Sequence, residues 1–152
     1  MKNLVALSKT IGAKIPLWTQ GTGGNISVKI GENLYVKPTG IRLDAVTETN
    51  LACVKWQDLK MSMNQPDSDV EEFYAQTLKK HSDKNHPRPS METGFHAVLN
   101  KKYVLHFHSL VALLMAFEEK KLPSSVSNWF SKQNTVGTLV ILNDLTPGWH
   151  LT

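Results

Sequence analysis

Gly21-Thr22-Gly23-Gly24-Asn25-Ile26-Ser27-Val28-Lys29-Ile30 reads as a glycine-rich loop running straight into a strand. Glycines let the chain turn sharply and let backbone N–H groups approach an anion. The strand runs from Asn25 to Ile30, and Gly31-Glu32-Asn33 has the composition of a hairpin turn. Leu34 to Lys37 is then the returning strand, stopped by the tight turn Pro38-Thr39-Gly40. A second phrase, Leu105-His106-Phe107-His108-Ser109, ends another strand predicted over Tyr103 to His108. Side chains alternate along a strand, so His106 and His108 share one face while Leu105 and Phe107 take the other.

Outward from these phrases, the remaining elements follow from spacing. Leu4, Leu7, Ile11 and Ile15 recur at helical intervals, with Pro16 as the stop. Leu51 to Trp56 is a short strand candidate, and Met61 to Asp67 a polar loop. Ser68-Asp69-Val70-Glu71 has the spacing of a capping box for a helix to His81, with Val70, Phe73, Thr77 and Leu78 as its apolar face. Ser82 to Pro89 is a loop, and Ser90 caps a helix over Met91 to Leu99. Ser109 caps a helix reaching Glu119, Pro123-Ser124-Ser125 is a break, and Ser125 to Phe130 a short helix. A last strand is expected over Gly137 to Leu142. With no linker or repeat, residues 1–152 form one domain.

Composition narrows the class. The 152 residues are 41 % hydrophobic and 20 % charged, the balance of an ordinary globular protein. A net charge of +4 favours anionic substrates by steering. Lysines and arginines are scattered without interleaved aromatics, so no nucleic-acid partner is expected. The single cysteine, Cys53, excludes an internal disulfide framework and fits a reducing compartment. There is no signal-like apolar core at the N-terminus and no apolar run long enough for a membrane span, so a cytoplasmic location is expected.

His106 and His108 are the strongest chemical signal. Two neutral imidazoles on one face suit Zn²⁺, although His-x-His also occurs as half-buried histidines bonded to their neighbours. Glu92 lies on the helix that leads into this strand. Its carboxylate can complete a coordination shell, move protons beside a polarised carbonyl, or simply sit well on a helix dipole. His96, four residues on, is read as a packing or supporting residue. Gly24-Asn25, Thr39-Gly40 and Ser90 offer amides, hydroxyls and unobstructed N–H groups to a phosphate, and each is equally compatible with plain turn chemistry.

Together these phrases resemble the class II aldolase/adducin family of sugar-phosphate lyases, epimerases and dehydratases. The resemblance rests on Gly21 to Lys29, Val36-Lys37-Pro38-Thr39-Gly40-Ile41, Arg88-Pro89-Ser90-Met91-Glu92-Thr93 with His96, Val104 to Ser109, and Leu145-Thr146-Pro147-Gly148. The first two phrases are similar to fuculose-phosphate aldolases, and the third to aldolase domains joined to a dehydrogenase. The resemblance implies an α/β fold, three-layer α/β/α around a predominantly antiparallel sheet, in a cyclic homotetramer. It implies that Gly24, Asn25, Thr39, Gly40 and Ser90 hold the substrate phosphate. It also implies that His106 and His108 bind zinc, and that Glu92 is the acid/base.

Two departures set further expectations. Met91 stands where some members carry a second phosphate-binding serine. The family continues past the Pro-Gly phrase to a strand with a third metal histidine, whereas this sequence ends at Thr152 with His150 out of motif position. The reading is therefore a zinc-dependent aldolase acting on a phosphorylated ketose, weakened by truncation. The alternatives are a non-catalytic, adducin-like interaction module and a family epimerase or dehydratase.

Overall fold

Period-two strands joined by turn formers close into an antiparallel hairpin. The computed structural model describes residues 1–64, 69–82, 87–118, 122–133, 137–138 and 140. In it β1 (Asn25–Ile30) pairs with β2 (Asn33–Val36), Ile30 standing opposite Asn33 across the turn Gly31-Glu32. On the outer side of β2 lies β3 (Ala52–Lys55), and on the outer side of β1 lies β4 (Tyr103–His106). All three pairings are antiparallel, in the order β3-β2-β1-β4.

Helical layers cover both faces. Ile26 and Val28 turn to one side and pack with Leu4 and Ile11 of α1 (Lys2–Gly12) and with Leu43, Val46 and Leu51. Leu34 and Val54 turn to the other. There they meet Leu59 of α2 (Trp56–Met63), Tyr74 and Leu78 of α3 (Val70–Lys80), and Ala97 of α4 (Thr93–Val98). Each such side chain contributes roughly 1.5–3 kcal/mol when buried, and a one-residue slip would expose a whole set. Register is thereby fixed, and the α/β/α layering is the expected one.

Several boundaries differ from the sequence reading. The first helix stops at Gly12, short of Pro16, because the helix packs directly on the turn at Leu43–Ala45. A Cβ at Gly12 would lie 2.3 Å from the Asp44 nitrogen. The polar loop expected from Met61 is instead the end of α2, which begins at Trp56; its polar residues form the outer face of a helix anchored by fully buried Leu59. On α3 the inward stripe is Val70, Tyr74 and Leu78, and Phe73 is 44 % exposed. Cys53 is half-buried on β3.

Toward the C-terminus, Ser109 Oγ accepts the Ala112 N–H at 3.3 Å and caps α5 (Leu110–Glu118) as expected. The break expected at Pro123 to Ser125 falls inside the first turn of α6 (Leu122–Lys132), where a proline is tolerated. The Ser68 cap, the Leu145–Gly148 phrase, His150 and half of the strand expected over Gly137–Leu142 lie outside the described residues. Among the described residues, no helix is long and apolar enough to cross a membrane.

The glycine loop meets the sheet at Gly24. Its φ of +76° is a left-handed conformation, and a Cβ there would lie 2.9 Å from the His106 carbonyl oxygen. Gly24→Ala is expected to destabilise the fold by about 2–4 kcal/mol, from left-handed strain together with a backbone that must move aside. Denaturant titration checks this, and an unchanged midpoint would mean that the close approach is not made in solution.

Candidate metal centre and anion cradle

Sheet register builds the centre. Asn25 stands opposite His106, and Ser27 opposite Val104, so these residues share the face that looks toward α4. β4 ends at His106, two residues sooner than expected, and His108 follows in extended chain beyond it. Leu105 and Phe107 do take the opposite face, but that face is 36 % and 41 % exposed at the two residues, while the histidines are half-buried. The polar side of this strand is therefore the better covered one, because α4 packs over it through Phe95.

α4 begins at Thr93, so Glu92 is the residue just before the helix rather than within its first turn. Its Oε2 lies 3.3 Å from His106 Nδ1, off the line of a good hydrogen bond. The rings of His106 and His108 are 4.8 Å apart. One donor atom each from Glu92, His106 and His108 falls within a 4.8 Å span, and all three side chains are half-buried. Contact with the His106 ring holds the Glu92 carboxyl below its usual range against the opposing effect of burial. Burial, reinforced by the neighbouring His106, pushes His108 down, which keeps it neutral and free to ligate.

The fit to a divalent ion rests on donor chemistry. Two imidazoles and a carboxylate are a common zinc set, and His106 Nδ1 is buried without a hydrogen-bond partner among the described residues.

His96 lies behind this triad, fully buried. Its Nδ1 shares a 2.7 Å hydrogen bond with Ser27 Oγ, its ring stacks on Phe95, and Phe95 meets the His106 ring edge-on. Burial drives its pKa down to about 3, so the ring stays neutral and supports the centre through packing.

The residues read as phosphate holders fall in two groups. Thr39 N–H donates to the Arg88 carbonyl at 3.1 Å, and Pro38 bridges to Pro89, so the Thr39-Gly40 turn lies beside Ser90. Ser90 Oγ accepts the Glu92 N–H at 3.2 Å, which ties this turn to the triad. Asn25 is 1 % exposed; its Oδ1 accepts the Ile26 N–H, while its Nδ2 has no partner among the described residues. Such an orphaned donor carries a desolvation cost unless a ligand or water meets it. Gly24 itself is buried against the backbone of His106 and Phe107.

Two residues of this region were not singled out from sequence. Lys37 is 2 % exposed, and its ammonium donates to the carbonyls of Thr22 (3.1 Å), Pro38 (3.3 Å) and Ile41 (2.8 Å). One buried cation thus ties the glycine loop to the Thr39-Gly40 turn. Burial lowers its pKa, and the charge of Glu92 opposes that shift. Gln20 donates from Nε2 to the carbonyls of Pro16 (2.7 Å) and His108 (3.0 Å), clamping the segment that carries His108.

Comparison with known proteins gives the chain its relatives. The sequence profile of the Class II Aldolase and Adducin N-terminal domain matches residues 3–151. The N-terminal class II aldolase domain of a conserved protein from Thermoplasma acidophilum superposes with a TM-score of 0.75 at 25 % identity, over 97 % of this chain and 70 % of that one. An uncharacterized oxidoreductase, YuxG of Bacillus subtilis strain 168, is 27 % identical over 140 residues. That match takes in 83 % of this chain and 20 % of YuxG, so the chain spans about a fifth of that relative's length. A probable methylthioribulose-1-phosphate dehydratase of Leishmania infantum is 48 % identical over 29 residues, 19 % of this chain and 13 % of the enzyme.

Proposed function

We propose, because the chain belongs to the class II aldolase and adducin N-terminal domain family, that it forms the catalytic centre of a metal-dependent lyase acting on a phosphorylated ketose. The observation that carries this reading is the meeting of Glu92, His106 and His108 within 4.8 Å of one another. His106 and His108 would hold zinc. Held there, it would supply polarisation of a ketose carbonyl.

The chain's own residues supply the rest. Glu92, ionised at neutral pH, takes a proton from the carbon beside the carbonyl in the direction of bond formation and returns it on cleavage. Asn25 Nδ2, the Ser90 and Thr39 hydroxyls, the backbone at Gly24 and the open turn at Gly40 hold the phosphate. The Lys37 ammonium adds positive potential where the two loops meet. The reading adds a homotetramer, on the family resemblance, and a cytoplasmic location, on the single cysteine.

A second reading is favoured by the short Leishmania similarity: the same proton-moving carboxylate would serve a sugar-phosphate dehydratase. A panel of zinc-loaded reactions separates the two. Dihydroxyacetone phosphate released from fuculose or rhamnulose phosphate supports the aldolase, and loss of water from methylthioribulose phosphate the dehydratase. No turnover of any of these by the zinc-loaded chain would favour the non-catalytic module.

The phosphate assignment has its own test. A charge-assisted hydrogen bond contributes about 1.5–3 kcal/mol, so Asn25→Leu is expected to weaken binding of a sugar phosphate at least about tenfold in calorimetry. An unchanged affinity in a folded variant would put the anion elsewhere.

A further inference from the structure

Glu92 has no strand or long helix of its own to hold it; it sits in the turn that precedes a helix of six residues. Tyr74 reaches that turn from the middle of α3. Its hydroxyl donates to the Met91 carbonyl at 2.5 Å and accepts the Gly94 N–H at 2.7 Å. The two bonds fall on either side of Glu92. Tyr74 is 4 % exposed and packed among Leu34, Leu59, Leu78 and Ala97, so the phenol is carried by the hydrophobic core. Thr93 Oγ1 adds a bond to the Ser90 carbonyl at 2.5 Å within the same turn.

We infer that Tyr74 is a positioning residue for Glu92: its phenol clasps both ends of the Met91–Gly94 turn and thereby sets the carboxylate against His106. The clasp transmits the rigidity of the α3 core to a side chain that needs register to within about half an ångström. Removing the hydroxyl leaves a buried Gly94 N–H without its acceptor, and the turn must twist to recover one. The consequence for chemistry rests on the assignment of Glu92 under the proposed function; the consequence for geometry does not.

The test therefore reads geometry first. In the metal-free full chain, nuclear Overhauser contacts between the Glu92 side-chain protons and the His106 ring report their approach. Tyr74→Phe keeps the ring and its packing but is expected to abolish these contacts. Leu78→Ala, a cavity one helical turn further along α3, is expected to lower stability at least as much and to keep them. Should Tyr74→Phe not fold, replacing the Gly94 amide with an ester removes one of the two bonds, and the same contacts are expected to weaken. Contacts absent in wild type, retained in the clasp variants, or lost equally in Leu78→Ala each overturn the inference. With zinc, Tyr74→Phe is expected to bind about tenfold more weakly than wild type. A wild-type chain that binds no zinc would instead count against the metal reading, while the Overhauser contacts still decide the role of Tyr74.

Discussion

His106→Ala is expected to abolish zinc binding at the proposed centre. His106 is the hinge of the triad, its Nδ1 3.3 Å from Glu92 and its ring 4.8 Å from that of His108. Without it, one imidazole and one carboxylate remain, a pair that rarely outcompetes water and buffer for zinc. Metal content by elemental analysis should fall from about one zinc ion per chain to background, an affinity loss of at least about 100-fold. The fold should survive, because the ring is only half-buried at the end of an edge strand and its backbone pairing with Asn25 is untouched. The Glu92 carboxyl, relieved of the ring that holds it down, should return toward its ordinary range. Unchanged metal content in a folded variant would show that the ligands lie elsewhere.

The contrast between what was legible and what was not follows from the range of the signals. Alternation within Asn25 to Ile30 and the turn at Gly31-Glu32 are local, and β1 forms with the expected bounds. His106 and His108 are two apart, and Glu92 enters the same strand through one short helix, so their meeting was also readable. α2 was missed because a helix with two buried positions, Leu59 and Ser62, looks polar in a short window. Hydrophobicity alone ranks Phe73 above Tyr74 for the α3 face. The i, i+4, i+8 stripe of Val70, Tyr74 and Leu78 places the tyrosine inward, where its hydroxyl has work at the Glu92 turn.

Lys37 and Gln20 were invisible for a different reason. Each binds carbonyl oxygens, which every residue possesses, so no partner type in the sequence announces the contact. Gln20 finds its carbonyl 88 residues away at His108. Lys37 looks from sequence like any surface lysine, yet its burial is tolerated because three carbonyls meet the ammonium. These two residues shape the loops, while the motif residues line them.

Glu92→Gln is expected to leave the architecture of the centre in place and remove its proton chemistry. Glutamine keeps the length and one acceptor oxygen of the side chain, and the Ser90, Thr93 and Tyr74 bonds that frame the turn do not involve the carboxylate. What disappears is a carboxyl held below its usual range and therefore ionised, able to accept a proton, at neutral pH. General base contributions of this kind are worth about 10²–10⁴ in rate. At saturating zinc, kcat for whichever sugar phosphate is turned over should fall by that factor while KM changes little, because the phosphate contacts proposed for Asn25, Thr39 and Ser90 would remain. A rise in KM with kcat preserved would make Glu92 a binding residue instead. Full activity in the variant would move the acid/base role to another group, and the three-residue meeting at Glu92 would then serve the metal alone.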